Sequence, residues 1–408
     1  PKGRPGRRYF PAFTITGTSS DPDPGSPLLA SLVSTVTVSI ERLGTNQCYV
    51  LGGGFVVGCP NFIPAAGVPS AWSYTPAPNP FVNGQSYAVV VRAADNASNV
   101  QSIFAVGTSS NAFIYDTSIP GVAITKPGAS RERLLTTSSG TASATAPSVI
   151  DLVQLRVRRM TGPVKYADPS SAGAFVLDPA TQSESAWYTA TSSGLPAWTN
   201  WSLSSGIPFV SGLLYSFEAR SRNAAGTWSA IYSTVTTTFD ASAPVTNVLL
   251  PVNRSTMSVL AMSSGTSVDN PISNPGVVSS VRVRLQRLSD ANYWEGTIWV
   301  ATPYSFTDFD CLQIYPSSWS LASFLPSNAN LVSGASYYLT TSGIDDAADG
   351  GNVEPFYEAP RASTFTMDFA APISNITAPA DGAALAILAK ITGTADDVLS
   401  GISTAAQI

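Results

Sequence analysis

Histidine is absent from this chain of 408 residues, and charged residues make up only 12% of it. Histidine is the commonest general base and a frequent metal ligand. Its absence therefore excludes Ser-His-Asp and Cys-His catalysis and histidine-ligated zinc. Lysine occurs at only four positions, which leaves few candidates for Schiff-base chemistry. We therefore expect no enzymatic activity.

Basic charge and long apolar runs are also scarce. The net charge is -5 and the pI about 4.8, which argues against a nucleic-acid partner. No apolar run is long enough to span a bilayer, so we expect no membrane insertion within this segment. The chain starts at Pro1 inside an ongoing pattern. We therefore interpret it as a processed or excised piece of a longer protein.

Four features are present instead, and they recur in the same order about every 125 residues. The first is a Gly-Thr step: Gly17, Gly140, Gly265 and Gly393. The second is an alternating strand that ends in Arg: Val36–Arg42, Val153–Arg159 and Val281–Arg287. The third is Trp-Ser, then Gly, then Tyr: Trp72 to Tyr87, Trp201 to Tyr215 and Trp319 to Tyr337. The fourth is Asp-x-x-x-Pro: Asp116, Asp240 and Asp368.

These markers predict three repeats and part of a fourth. Proline blocks ladder hydrogen bonds, so we place the boundaries in the proline-rich Asp-x-x-x-Pro segments. The predicted domains are repeat 1 (1–118, which lacks its first strand), repeat 2 (119–242), repeat 3 (243–370) and partial repeat 4 (371–408, first strands only).

Each repeat shows period-two strands and turn residues without a helical period, which predicts an all-β fold of tandem Ig-like β-sandwiches in an elongated array. The Gly-x-x-Tyr segment is typical of a tyrosine corner. We expect its ring to be buried and its hydroxyl to tie down the crossover. We place the recurring tryptophans Trp72, Trp201 and Trp319 in the core.

The chain resembles bacterial Ig-like, fibronectin type III-like tandem repeats of very large cell-surface and adhesin-type proteins. The resemblance is carried by Asp240–Pro244, by Gly17–Asp21 and by Tyr87–Asn99. It implies an extracellular location and a structural role as a repeat segment of a cell-surface fibre or filament. The alternative is a surface adhesin that binds glycan or protein through aromatic-rich insertions.

Repeat 2 departs from the acidic pattern at two positions. It has Ala144 where the other repeats have Asp21, Asp269 and Asp397, and it has Asn223 where repeat 1 has Asp95. Whatever those aspartates do is therefore not done identically in every repeat.

The cysteines Cys48 and Cys59 flank a Gly-Gly-Gly turn and predict a cross-strand disulfide, with two unpaired thiols as the alternative. Cys311 has no second cysteine nearby. We interpret it as a buried thiol or as a site for pairing with another chain.

Acidic clusters in turns raise the possibility of calcium, which prefers carboxylate and carbonyl oxygens. We place the most credible site at Asp345, Asp346 and Asp349, with solvated turn residues as the alternative. We predict no other cofactor.

Aromatic residues are concentrated in the insertions between the Arg-ended strand and Trp-Ser. Trp294 and Trp299 are candidates for stacking on a glycan, and the alternative is packing of an extra hairpin on the sandwich.

The tail, 371–408, carries a first strand marked by Ile373, Ile376 and Pro379, and repeat 1 lacks that strand. Either the chain is an arbitrary window on a continuous array, or the tail docks on repeat 1 of another copy, head to tail. Low lysine content leaves strand edges less guarded, so lateral association between copies is also expected.

Overall fold

A computed structural model describes residues 7–9, 14–21, 32–194, 196–304, 312–315, 317–356 and 360–401. The fold is all-β. In the described residues the only helical elements are two short 3₁₀ turns, Ser183–Ala186 and Asn328–Asn330. No helix among them has the length and apolar character that crossing a membrane requires.

The described residues form 33 strands, which fall into three similar sets and a terminal hairpin. Repeat 1 contains β1 (Arg7–Tyr9), β2 (Ile15–Gly17), β3 (Val33–Arg42), β4 (Gln47–Val50), β5 (Gly54–Val57), β6 (Ile63–Pro64), β7 (Ala66–Val68), β8 (Ala71–Tyr74), β9 (Ser86–Asp95) and β10 (Ser110–Tyr115).

Repeat 2 contains β11 (Gly121–Lys126), β12 (Arg131–Glu132), β13 (Thr137–Ser143), β14 (Ile150–Arg159), β15 (Lys165–Ala167), β16 (Phe175–Leu177), β17 (Tyr188–Thr189), β18 (Thr191–Ser193), β19 (Asn200–Ser204), β20 (Leu214–Asn223) and β21 (Ser233–Phe239).

Repeat 3 contains β22 (Val245–Leu250), β23 (Ser255–Met257), β24 (Ser263–Val268), β25 (Val278–Arg287), β26 (Asn292–Trp294), β27 (Trp299–Val300), β28 (Leu312–Tyr315), β29 (Ser318–Leu321), β30 (Ser336–Asp345) and β31 (Ser363–Met367). The tail contains β32 (Ile373–Ala378) and β33 (Thr392–Asp396).

Each repeat has a larger and a smaller sheet. The larger sheets have the orders β1-β10-β9-β3-β4-β5, β12-β21-β20-β14-β15-β16 and β23-β31-β30-β25-β26-β27, with β6 on β3 and β17 on β14. The smaller sheets have the orders β2-β8-β7, β11-β13-β19-β18 and β22-β24-β29-β28. Among the described strands, β32 and β33 of the tail pair with each other. In the part of repeat 1 that the structure describes, no strand takes the place that β11 and β22 occupy in the later repeats.

The alternating Arg-ended strands β3, β14 and β25 point their apolar residues inward, as period two requires. In β14, for example, Val153, Leu155 and Val157 are fully buried. The expected tyrosine corner is confirmed in repeats 1 and 3. The buried Tyr87 and Tyr337 accept hydrogen bonds at their hydroxyls from the backbone N–H groups of Val82 and Val332, both at 2.9 Å.

The recurring glycine and tryptophan form one contact. Trp72, Trp201 and Trp319 are core residues, as predicted. A Cβ atom added to Gly17, Gly140 or Gly265 would collide with the ring of the corresponding tryptophan. The glycine is therefore required because an indole packs directly on its backbone.

The described residues form two compact units. The first lies within Pro1–Gly128, Thr136–Pro208 and Tyr215–Thr236, and the second lies within Ala129–Leu135, Phe209–Leu214 and Thr237–Ile408. Strand β21 begins in the first unit and ends in the second. The predicted domain boundaries after residues 118, 242 and 370 stay predictions.

Candidate metal centre

Three aspartates of the second unit converge on one point. Carboxylate oxygens of Asp240, Asp269 and Asp345 lie within 4.8 Å of one another. Asp240 directly follows β21, Asp269 directly follows β24, and Asp345 is the last residue of β30. All three are at most 2% exposed. Buried carboxylates in this arrangement repel one another unless a cation or a proton compensates their charge.

The acidic turn after β30 fixes Asp345. Its Oδ1 accepts hydrogen bonds from the backbone N–H groups of Ala347 at 3.0 Å and Asn352 at 2.7 Å. Its Oδ2 accepts one from the side-chain amide of Asn352 at 2.8 Å. These three donors hold the carboxylate in one orientation, so its position does not depend on a ligand.

One arginine forms part of the wall of the site. Asp240 Oδ2 accepts a hydrogen bond from Arg131 at 3.0 Å, and Asp240 Oδ1 accepts one from the backbone N–H of Ser242 at 3.2 Å. Arg131 also donates to the backbone carbonyl oxygens of Asn274 and Pro275. This single guanidinium compensates one of the three carboxylates.

Asp269 is the member of the cluster with an unsatisfied carboxylate oxygen. Its Oδ2 accepts a hydrogen bond from the backbone N–H of Gly276, and a side chain at Gly276 would collide with this carboxylate. Its Oδ1 is buried and has no hydrogen-bond partner. A buried carboxylate oxygen without a partner is costly, and either a bound cation or a proton on Asp269 would remove that cost.

The pKa values agree with this picture. Burial raises the pKa of Asp269 to about 6, the charges of Asp240 and Asp345 act in the same direction, and the N–H groups of Gly276 and Asn270 oppose it. Burial also raises the pKa of Asp240, against the effect of Arg131. The cluster therefore favours binding of a proton or a cation.

The donor set fits calcium better than a transition metal, because hard carboxylate oxygens suit Ca²⁺ and no described histidine or cysteine joins them. Oxygens bound to one Ca²⁺ at about 2.3–2.6 Å lie at most about 5 Å apart. The observed limit of 4.8 Å is within that span.

Of the trio predicted from sequence, only Asp345 belongs to the cluster. Asp346 accepts a hydrogen bond from the backbone N–H of Val277 at 3.0 Å, and its carboxylate lies 3.7 Å from Arg131 Nε. Asp349 is an exposed turn residue with a φ of 63°. Asp240 and Asp269 stand out in the sequence only as repeat markers, and adjacency did not mark them as ligands. A signal was present nevertheless, because repeat 2 loses the two matching acids together, at Ala144 and Asn223.

The predicted cysteine pair is joined in the structure. Cys48 lies in β4 and Cys59 lies just beyond β5, with their Cα atoms 5.3 Å apart and a disulfide between them. Cys311 lies outside the described residues.

The two candidate glycan-stacking tryptophans pack inward. Trp294 is 2% exposed, and its indole N–H donates to the carbonyl oxygen of Phe324 at 2.6 Å. Trp299 is half-buried, donates to the carbonyl oxygen of Asn330 at 2.8 Å and packs against Tyr337. A ring as buried as that of Trp294 offers no face to a sugar. Its position corrects the ligand-binding prediction for that residue, and the prediction for Trp299 stays untested.

The tail residues that the sequence suggested for assembly lie on or just after an exposed strand. Ile373 and Ile376 on β32 are 68% and 71% exposed, and Pro379 follows the strand. Their role in assembly stays a prediction.

Comparison with known proteins gives similar solved structures only. A scan of protein-family models and a search of curated proteins return no match. A tetra-tandem repeat from the extending region of a large adhesion protein is 19% identical, covering 90% of this chain and 72% of that chain, with a TM-score of 0.26. The FN1–FN3 domains of chicken CNTN1 are 11% identical, covering 88% and 95%, with a TM-score of 0.28. The fibronectin(III)-like modules of CbhA from Clostridium thermocellum are 12% identical, covering 61% and 94%, with a TM-score of 0.27.

Identities and TM-scores this low carry no functional argument. The architecture follows from the sheets themselves, since each repeat pairs one larger and one smaller sheet of mainly antiparallel strands. The chain is built from tandem Ig-like β-sandwich repeats.

Proposed function

We propose that the chain is a structural repeat segment of an extracellular cell-surface fibre or filament, and that it carries tension along its length. The observation that supports this is the parallel pairing at one edge of each larger sheet. A short strand near the start of each repeat pairs in parallel with the last strand of the same repeat: β1 with β10, β12 with β21, and β23 with β31.

The parallel pair determines where the chain enters and leaves each sandwich. Because this short strand and the last strand run the same way, the chain passes from one end of the sandwich to the other between them. Tension applied at the two ends then slides β23 along β31, for example, and loads the hydrogen bonds between them together. This arrangement suits a load-bearing series of repeats. It requires no catalytic residue, and we propose none.

Calcium at Asp240, Asp269 and Asp345 would add stiffness within the second unit. Asp240 belongs to the segment that leaves repeat 2, whereas Asp269 and Asp345 end strands in the two sheets of repeat 3. An ion shared by all three would hold the connecting segment against both sheets. The donation from Asn352 to the backbone carbonyl of Asp240 at 2.8 Å already holds the same segment in place.

Single-molecule stretching of the full chain from its two ends tests the proposal. We expect separate force peaks, each releasing about 125 residues, or roughly 400–450 Å of extended chain. In the calcium chelator EGTA, the events that arise from the second unit should occur at lower force. Smooth extension without peaks would contradict a load-bearing role. Immunogold labelling of native material that marks no surface fibres would contradict the proposed location.

A further inference from the structure

The chain enters the sandwich of a repeat through its first strand, here called the entry strand. The entry strand is β11 in repeat 2 and β22 in repeat 3. Each lies at one edge of its smaller sheet, beside β13 or β24. Tension from the preceding part of the chain therefore reaches the entry strand of a repeat before its other strands. How firmly that strand is held decides how the repeat begins to yield.

The two entry strands have the same register but differ at their second residue. Val122 of β11 lies opposite Ala142, two residues after the recurring glycine of repeat 2. Thr246 of β22 lies opposite Ser267, two residues after the recurring glycine of repeat 3. Repeat 3 thus places a hydroxyl where repeat 2 has a side chain without hydrogen-bonding groups.

A buried carboxylate holds the start of β22. Glu354, in the loop after β30, is 1% exposed, and both of its carboxylate oxygens accept hydrogen bonds from the backbone N–H of Thr246 at 3.1 Å. Glu354 Oε2 also accepts from the Thr246 hydroxyl at 2.6 Å and from the backbone N–H of Gly343 on β30 at 2.9 Å. One carboxylate therefore joins the entry strand of the smaller sheet to an inner strand of the larger sheet.

An arginine balances the charge of this carboxylate. Arg361 donates to Glu354 Oε1 at 2.5 Å, and the carbonyl oxygen of Arg361 accepts from the backbone N–H of Val248 on β22 at 2.9 Å. Hydrogen bonds to charged groups contribute more to stability than neutral ones. We call this set of residues the entry clamp: Thr246, Gly343, Glu354 and Arg361.

Ser229 occupies the position of Glu354 in repeat 2. The backbone N–H of Ser229 donates to the carbonyl oxygen of Ser221, as that of Glu354 does to Gly343. Ser221 and Gly343 both lie six residues after the recurring buried tyrosine. Ser229 Oγ accepts from the backbone N–H of Ser221 at 3.3 Å, which is the counterpart of the bond between Gly343 and Glu354. Within the described residues, Ser229 makes no hydrogen bond to β11.

Neutral hydrogen bonds hold β11 to the larger sheet instead. Ser221 Oγ donates to the carbonyl oxygen of Gly121 at 3.1 Å, and the backbone N–H of Ile124 donates to Ser233 Oγ at 3.0 Å. Each bond uses one serine hydroxyl, and neither involves a charged group. The start of β11 is therefore held less firmly than the start of β22.

We propose that repeat 2 yields before repeat 3 under tension, because its entry strand has no clamp. This inference rests on the proposed load-bearing function. Once β11 detaches, the parallel pair of β12 and β21 carries the load, and the freed segment adds at most about 35 Å of chain. In repeat 3 the clamp keeps β22 in place, so that β22 and the parallel pair of β23 and β31 carry the load together. One repeat lengthens slightly at low force while its neighbour stays closed.

Disulfide locks in the full chain test which entry strand detaches first. Ala123 lies opposite Thr141, and Asn247 lies opposite Thr266, at matching positions of the two repeats. In a Cys311→Ser background stretched in EGTA, Ala123→Cys with Thr141→Cys should remove one early lengthening of at most about 35 Å, and a reductant should restore it. Asn247→Cys with Thr266→Cys should remove none. An early lengthening lost with the second lock but kept with the first would overturn the order.

The variant Glu354→Gln tests the clamp itself. It keeps the size of the side chain but removes the charge that Thr246 and Arg361 share. It should add an early lengthening, which the lock between positions 247 and 266 should abolish. At constant force, the rate of this opening should rise about 10- to 100-fold, the range expected when a hydrogen bond to a charged group is lost.

Two controls separate the clamp from general stability. Ser229→Ala removes only the bond to Ser221 and should leave the lengthening of repeat 2 unchanged. Leu321→Ala, at a fully buried core residue of repeat 3, should lower a main force peak without adding an early lengthening. An unchanged opening rate in Glu354→Gln would overturn the clamp and leave the load-bearing function standing. Smooth extension of the parent would contradict the load-bearing function itself.

Discussion

An Asp-x-x-x-Pro segment precedes a sandwich in both units, and three positions at this point, here called the framework, correspond between the units. The two frameworks differ in charge. In the second unit the framework carries Asp240, Asp269 and Asp345. In the first unit the corresponding positions are Asp116, Ala144 and Asn223. A methyl group and an amide thus replace two of the three carboxylates.

The framework of the first unit keeps one carboxylate, Asp116, and its Asn223 amide is hydrogen-bonded at both its nitrogen and its oxygen. The Asn223 side chain donates to the carbonyl oxygen of Ser118 at 2.8 Å and to Ser148 Oγ at 3.2 Å. Its oxygen accepts from the backbone N–H groups of Ala225 and Thr227. The acidic version instead leaves Asp269 Oδ1 buried without a partner. The framework of the first unit therefore sets one carboxylate beside a hydrogen-bonded amide, whereas that of the second unit gathers three carboxylates, which need an added cation or proton.

The largest expected effect comes from Asp269→Ala. This change should weaken calcium binding by about 100-fold or more, since even the hydrogen-bond partners of metal ligands are worth about 10–100-fold. Calcium titration by calorimetry should show one site fewer per chain, and calcium should no longer raise the melting temperature of the second unit. Without calcium the variant should differ from the parent much less than it does in calcium, because loss of the hydrogen bond from Gly276 to Oδ2 offsets removal of the unpartnered Oδ1. An unchanged calcium response would contradict the site.

Transplanting the acids into the first unit should convert one version into the other. The double variant Ala144→Asp with Asn223→Asp should gain one calcium site. Without calcium it should lose about 1–3 kcal/mol or more of unfolding free energy, the cost of a buried polar group left without partners. Each single variant is a control that should destabilise the chain without creating a site. Destabilisation that calcium does not relieve would show that the framework alone does not define the site.

A smaller effect should appear in the pH dependence. The pKa of Asp269 in the folded chain is about 6, above its ordinary value of 3.8. Between these values the folded state binds the proton more tightly than the unfolded state. Without calcium, the second unit should therefore lose stability as pH rises from about 4 through 6. Saturating calcium should remove this loss, since the ion favours the deprotonated form.

Calorimetric melting at pH 5 and pH 7, in EGTA and in calcium, measures this effect. Asp269→Ala is the control and should show a flatter pH profile in EGTA. A parent chain that is more stable in EGTA at pH 7 than at pH 5 would contradict the assignment.

The sequence predicted the repeated sandwich because the recurring signals are local and physical. The alternation of apolar and polar residues predicted strand β14. The Gly-x-x-Tyr spacing predicted the tyrosine corner at Tyr337. The carboxylate cluster was harder to predict, because Asp240, Asp269 and Asp345 are far apart in sequence and meet only when the sheets of repeat 3 form. Adjacency favoured Asp346 and Asp349, yet neighbours on one turn point in different directions. Trp294 was ambiguous for a related reason, since an indole among small and polar neighbours can pack inward or outward.

The contact between the recurring glycine and tryptophan limits how these repeats can diverge. A larger residue at Gly140 has no room while Trp201 is present, and a smaller residue at Trp201 leaves a cavity above Gly140. Each change alone is therefore harmful, whereas the two together can be tolerated. Copies of this repeat that accumulate mutations independently should keep the two residues or exchange them as a pair.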